Sequence, residues 1–165
     1  MSWGRSEADR RLANVVRVAT ITAVDPGAGR ARVRFGGDTE SAWLPFPSPR
    51  AGAIQVWAPP SIGEQVVVTC PSGDTAQGLI VASLSSGAAP PPSAAGDAFV
   101  VQVGDASIEI TADGLTLTAG GVSLAVTGGG VSITGGQVDH NGTNIGDSHV
   151  HGGIAPGGSN TQGPQ

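Results

Sequence analysis

The chain has 165 residues, enough for one ordinary domain or two small modules. It contains 27 glycines and 12 prolines but only 4% aromatic residues, a composition that favours turns and short strands over long helices. The formal net charge of −5 provides no basic surface for nucleic acid, so we expect no nucleic-acid partner.

Residues 1–84 are predicted to form an N-terminal OB-fold barrel. The N-terminus lacks an apolar stretch of signal-peptide type, so we expect synthesis in the cytoplasm. Short segments of strand character follow at 16–24, 30–35, 41–46, 64–70 and 78–84. Five short strands within about 70 residues are typical of a small OB-type barrel.

Two features of this region have both a structural and a functional interpretation. Arg30, Arg32 and Arg34 alternate with apolar residues, and we interpret them as the solvated face of a strand rather than as a binding patch. Cys70 is the single cysteine, which excludes an intrachain disulfide. It follows a run of valines, and we expect it to pack as a small hydrophobic side chain rather than to react.

Residues 85–97 read SSGAAPPPSAAGD and are predicted to be a linker. Three consecutive prolines favour the extended polyproline II conformation, so this segment is expected to act as a semi-rigid spacer.

Residues 98–140 contain an internal repeat of one short strand and one tight turn. Aliphatic residues alternate with Ser, Thr or Glu in four segments, 107–111, 115–118, 122–127 and 131–134. Gly114, Gly121 and Gly130 punctuate them at spacings of seven and nine residues. Each segment therefore presents aliphatic side chains to one side and polar side chains to the other.

One copy of this repeat has no second layer for its apolar side and no partners for its strand edges. We therefore expect an obligate homotrimer, in which three chains form an intertwined trimeric β-helix, or β-prism. The aliphatic faces would lie inside, and strand edges would pair between chains. A single-chain β-helix, which normally needs longer coils, and a disordered Gly/Thr tract are the alternatives, but the aliphatic alternation argues against disorder.

Residues 141–165 are predicted to form a small metal-binding apex. His149 and His151 stand two residues apart, so in an extended backbone their side chains project to the same side. Such a pair is a weak signal alone, but three chains meeting on one axis would supply six imidazoles. We expect His140 not to be a ligand, although it could line the axis above the apex.

Six imidazole nitrogens suit an octahedral ion. Structural zinc prefers four ligands, whereas ferrous iron is a common octahedral occupant with imidazole ligands. The prediction is a structural iron site, held by His149 and His151 from each of three chains, although the identity of the metal is less certain than the ligands. Because the site is saturated, it leaves no position for a substrate.

Short motifs at both ends of the chain carry a family resemblance. The N-terminal ones are Trp43-Leu44-Pro45, Trp57, the run 63–68, 71–74 and Gly78; the C-terminal ones are 144–146 and 148–153. Together with the β-repeat they resemble the phage baseplate assembly protein V, or tail-spike, family. That family combines an OB-fold, a trimeric β-helix and an iron-bearing apex.

The resemblance implies a mechanical function. The OB-fold domain would dock onto the baseplate hub, and sheath contraction would drive the spike transiently through the host outer membrane. The expected location is the tip of the tail baseplate in a virion or a headless tailocin. A trimeric receptor-binding fibre or adhesin is the alternative, although no aromatic residue follows Phe99 to build a recognition pocket.

Two further classes of function are disfavoured. A metallo-hydrolase would need an open metal site and a general base, and neither G-x-S-x-G nor H-E-x-x-H occurs. The chain is therefore predicted not to be an enzyme. An OB-fold for single-stranded nucleic acid would need a basic groove with stacking aromatics, of which few are present.

Overall fold

The computed structural model of the chain describes residues 3–146, 149 and 153. The chain divides into two compact units, Met1–Pro91 and Pro92–Gln165. Strands make up most of the regular structure in the described residues, which confirms the all-β class. Within these residues, no helix has the length and apolar character needed to cross a bilayer. The predicted boundaries of the linker and apex stay predictions.

The first unit begins with a helix that the sequence did not predict. Helix α1 (Trp3–Asn14) contains no proline, and Glu7 accepts hydrogen bonds from Arg10 at 2.9 Å and Arg11 at 2.7 Å. Ion pairs three and four residues apart support a helix locally. The overall abundance of Gly and Pro obscured this short segment, whose only residue of either type is Gly4.

A five-stranded antiparallel sheet forms the body of the first unit. Its order is β3-β2-β1-β6-β7, and a β-bulge interrupts each of the pairings β1–β2 and β6–β7. Its strands are β1 (Val16–Asp25), β2 (Arg30–Arg34), β3 (Leu44–Pro45), β6 (Gln65–Thr69) and β7 (Leu79–Leu84). All five lie where strands were predicted. A small separate hairpin of β4 (Arg50–Ala51) and β5 (Gln55–Val56) was not predicted.

The curled sheet encloses a core of small and branched side chains. Its largest fully buried members are Ile21, Leu44, Val33, Val66 and Val68, each at most 1% exposed. Cys70 is also 1% exposed within this cluster, which confirms its interpretation as a packed hydrophobic residue. Burial raises the pKa of its thiol. The core thus comes from alternate residues of the predicted strands.

The second unit contains a meander in which each strand pairs with its sequence neighbours. Its order is β12-β11-β10-β9-β8, and all pairs are antiparallel. The strands are β8 (Phe99–Val103), β9 (Ala106–Thr111), β10 (Gly114–Ala119), β11 (Val122–Thr127) and β12 (Gly130–Thr134). The prediction that strand edges pair between chains is wrong for β9, β10 and β11, because their edges are occupied within the chain.

Two-residue turns explain this pairing. Gly120 and Gly121, with φ of 58° and 84°, connect β10 to β11 in a left-handed conformation that favours glycine. Such a turn returns the chain directly beside itself. The strands β9 to β12 begin eight residues apart, so a regular eight-residue repeat underlies the uneven glycine spacing.

Candidate functional site: the apolar sheet face and the apex

One face of the meander is apolar across all five strands. Leu117 lies opposite Ile108 of β9 and Leu124 of β11, and alternate residues of each strand share its face. Two parallel rows result. They comprise Phe99, Ile110, Leu115, Val126 and Val131 in one row, and Val101, Ile108, Leu117, Leu124 and Ile133 in the other. We call these ten residues the apolar face.

The apolar face is open to solvent in one chain. Its three leucines are half-buried, whereas Phe99 and Val131 on the outer strands are 62% and 68% exposed. Contiguous exposed apolar surface of this kind marks a site of interaction. The described residues of a single chain therefore leave this sheet without a second layer.

The opposite face of the same sheet is polar. Its rows comprise Val100, Glu109, Thr116, Ala125 and Ser132, and Gln102, Ser107, Thr118, Ser123 and Thr134. The hydroxyls of Ser123 and Thr134 lie 2.7 Å apart across β11 and β12. Glu109 is the single charged residue in these two rows. The sheet is therefore suited to burying one face while the other faces water.

The nine larger aliphatic residues of the four predicted segments lie on the apolar side of the sheet: Ile108, Ile110, Leu115, Leu117, Val122, Leu124, Val126, Val131 and Ile133. Sequence reasoning missed the contribution of β8, whose Phe99 and Val101 extend both rows by one strand. The signal was present, because Phe99, Val101 and Val103 alternate in the segment FVVQV.

The chain beyond the meander forms a small hairpin. Strands β13 (Asp139–His140) and β14 (Thr143–Asn144) are joined by Asn141 and Gly142, whose φ values are 49° and 79°. The Ile145 amide donates to the Val138 carbonyl at 2.8 Å and extends this pairing. The hairpin therefore leads directly into the segment that carries the predicted metal ligands.

His149 lies beside the end of this hairpin. Its Nδ1 is 2.5 Å from the Gly146 carbonyl oxygen, and its backbone N–H donates to the same oxygen at 3.2 Å. Because a carbonyl only accepts, this contact places a proton on Nδ1, and in the neutral ring the lone pair then lies on Nε2. Metal-binding histidines commonly donate their second ring N–H to a backbone carbonyl, so the side chain of His149 fits the role of a ligand.

The other two histidines add no further described ligand to the predicted metal site. His151 lies outside the described residues. His140 is in β13 with an exposed side chain, opposite Thr143. No group of three or more His, Cys, Asp or Glu residues suited to a metal occurs within residues 3–146, 149 and 153. Of the two predicted ligands, His149 is the one within the described residues.

Comparison with known proteins connects these features to a family. Residues 17–84 match the family described as the type VI secretion system/phage-baseplate injector OB domain. This match lies within the first unit. The match runs from residue 17 in β1 to the end of β7 and confirms the OB-fold prediction and the resemblance of the N-terminal motifs, whereas the C-terminal motifs lie outside it.

A curated relative extends the comparison. The chain is 34% identical over 102 residues to the "Spike protein" of Escherichia phage P2. The matched region is 62% of this chain and 48% of that relative, so the chain spans about half the length of the relative it matches.

Proposed function

We propose that this protein is the central membrane-piercing spike of a contractile phage tail, or of a tailocin or related injection system. The observation that carries the proposal is an open apolar sheet face in the same chain as an injector OB domain. The similarity to a phage spike protein supports it. The role is mechanical and not enzymatic.

The active form in this proposal is a homotrimer. Each chain would contribute its meander as one wall of a triangular prism, with the three apolar faces inside. Full burial of an exposed aliphatic side chain contributes roughly 1.5–3 kcal/mol, and each residue of the apolar face would contribute up to that amount to the trimer. Since β9 to β11 are paired within the chain, only the outer strands β8 and β12 remain to pair with neighbouring chains.

The OB domain would dock onto the baseplate hub and hold the prism toward the host. Contraction of the sheath would then push the prism through the outer membrane. The polar face, rich in hydroxyls and nearly free of charge, would form the outside of the prism. A smooth sheet without large loops suits passage through a membrane, because its connections are only two residues long.

At the apex, His149 and His151 of each chain would hold a structural iron ion. The hydrogen bond from His149 Nδ1 to Gly146 supports this role, because it leaves Nε2 with the lone pair that a metal needs. When bound, the ion supplies coordinate bonds that join three chain ends which otherwise lack a core. The Gly146 carbonyl would orient the His149 imidazole through its hydrogen bond to Nδ1.

Mass and metal content in solution test the proposal together. Light scattering of the purified chain should give three times the 16.2 kDa chain mass. Elemental mass spectrometry should find one iron per three chains. Deletion of the gene should abolish killing by the particles, and immunogold labelling should place the chain at the distal end of the tail. A monomeric chain, or particles that kill without it, would overturn the proposed function.

A further inference from the structure

Positive charge is confined to the first part of this chain. All eight cationic side chains are arginines within residues 1–50, whereas residues 51–165 contain eight acidic residues and no arginine or lysine. Three of these arginines form a row on one strand. A protein with such a segregated charge presents its basic groups to partners through its first unit.

Arg30, Arg32 and Arg34 share the outer side of β2. Between them, Ala31 and Val33 are completely buried in the core, so the arginines point away from it. Alternate residues of a strand lie about 6.6–6.8 Å apart. We call these three residues the arginine row. Its spacing is regular because strand β2 is anchored by Ala31 and Val33 in the core.

Two members of the arginine row are held in place by Trp43. The Arg32 guanidinium lies 5.0 Å from the centre of the Trp43 ring, and Arg30 donates to the Trp43 carbonyl at 3.1 Å. Trp43 is 37% exposed. Arginine and tryptophan dominate the energetically important positions of protein interfaces, and a held guanidinium loses less entropy on binding.

Acidic neighbours indicate which kind of partner fits. Glu40 lies 3.4 Å from Arg32, and Asp25 pairs with Arg30 in the register of β1 and β2. A surface of mixed sign is poorly suited to a nucleic-acid backbone, which carries a continuous row of negative charge. It suits a protein surface on which individual carboxylates meet individual arginines.

Although the sequence pattern alone favoured a solvated strand face, we propose that the arginine row with Trp43 is the surface through which the OB domain binds an acidic protein surface on the baseplate hub. This inference rests on the proposed function, because it names the contact by which the spike docks. The row recognises carboxylates, and Trp43 supplies the apolar centre of the contact. The acidic remainder of the chain would be repelled by the acidic surface of the hub, so the position of the row also orients the spike during docking.

The test measures binding of the full-length chain to the purified hub protein of the same tail by biolayer interferometry. The row variant is Arg30→Gln/Arg32→Gln/Arg34→Gln, and the matched control is Arg10→Gln/Arg11→Gln/Arg50→Gln. Both lose three positive charges, so only the location differs. Thermal melting checks folding, and the single variant Arg34→Gln, at an exposed position, serves if the triple variant does not fold.

The row variant should bind the hub at least about tenfold more weakly, and its binding should depend less on salt than that of the wild type. The control should remain within about twofold of the wild type. If both variants lose affinity for the hub equally, or if neither does, the arginine row is not the docking surface. The proposed docking itself would still stand, because the wild type would still bind the hub. A wild-type chain that does not bind the hub would overturn the proposed docking as well. Tighter binding of the wild type to a 30-base-pair DNA duplex than to the hub would also contradict an acidic protein partner.

Discussion

Leu117 of β10 and Leu124 of β11 lie directly opposite one another at the centre of the apolar face. Both are half-buried in one chain although they have neighbours on either side in the sheet. Their remaining exposed surface therefore points away from the sheet. Only a layer from outside this sheet can cover it.

Replacing Leu117 with aspartate should convert the proposed trimer to monomers. The change removes three leucines from the proposed interior and buries three carboxylates there, at a cost of several kcal/mol for each. Light scattering should report the mass of one chain. Thr118→Asp is the matched control, because the adjacent residue of the same strand faces the polar side; its trimer should persist. If the two variants had the same mass in solution, an interface on the apolar face would be contradicted.

Metal content should distinguish between the histidines. His149→Ala should lose the proposed iron, because it removes three of the six proposed ligands. His140→Ala should retain it, since His140 lies in β13 and is not expected to be a ligand. Elemental mass spectrometry of the two purified variants makes the comparison. Iron lost from both, or kept by both, would contradict the assignment of the ligands.

Gly73→Ala should destabilise the first unit more than Gly37→Ala. Both glycines have positive φ, 73° and 57°, so both variants lose about 1–2 kcal/mol from backbone strain. A Cβ on Gly73 would also lie 2.3 Å from the Arg11 carbonyl oxygen, whereas the space around Gly37 is open. This clash should add about 1–3 kcal/mol. Urea unfolding followed by tryptophan fluorescence reports on this unit, because all three tryptophans lie in it. Equal losses would mean that α1 does not pack on Gly73.

Leu44→Ala should lower the free energy of unfolding of the first unit by about 2–5 kcal/mol. Leu44 is 1% exposed and contributes the largest side chain of the short strand β3 to the core. Leu12→Ala, at a residue that is 73% exposed, should change stability by less than about 0.5 kcal/mol. The same fluorescence measurement compares them. A large effect at Leu12 would show that α1 has an apolar partner that the described residues of one chain do not supply.

The stability of the first unit should fall as the pH rises above about 8.5, where a free cysteine thiol ionises. Burial raises the pKa of the Cys70 thiol in the folded state, so the unfolded chain loses its proton first and is favoured at high pH. The chain has no lysine or tyrosine, so the thiol is the one side chain that titrates between about pH 8 and 11. The free energy of unfolding should fall by up to about 1.4 kcal/mol per pH unit. Cys70→Ala should abolish this slope, and a slope that persists would place its origin elsewhere.

Much of the strand pattern could be predicted from the sequence, because alternation of apolar and polar residues is a direct consequence of strand geometry. Ala31 and Val33 are buried between three arginines as the pattern required. The side assigned to each aliphatic residue between 108 and 133 was also correct. These predictions depend only on local periodicity.

The partner of each strand was harder to predict. Apolar alternation is the same whether the neighbouring strand belongs to the same chain or to another, so the pattern alone did not favour a meander. Two-residue turns such as Gly120-Gly121 were the deciding feature. Helix α1 was obscured by the overall abundance of Gly and Pro, and its contact with Gly73 joins residues distant in sequence, which a local pattern does not show. The apex depends on His151, which lies outside the described residues, and the ligand set there stays a prediction.

The eight-residue period of the meander would make the length of the proposed prism adjustable during evolution. Adding one repeat adds one strand, which lengthens the sheet by about 4.8 Å but reverses the direction in which the chain leaves it. Adding two repeats lengthens the sheet by about 9.6 Å and restores that direction. Insertions and deletions in multiples of sixteen residues would therefore give needles of graded length, each of which delivers the same apex to the same end.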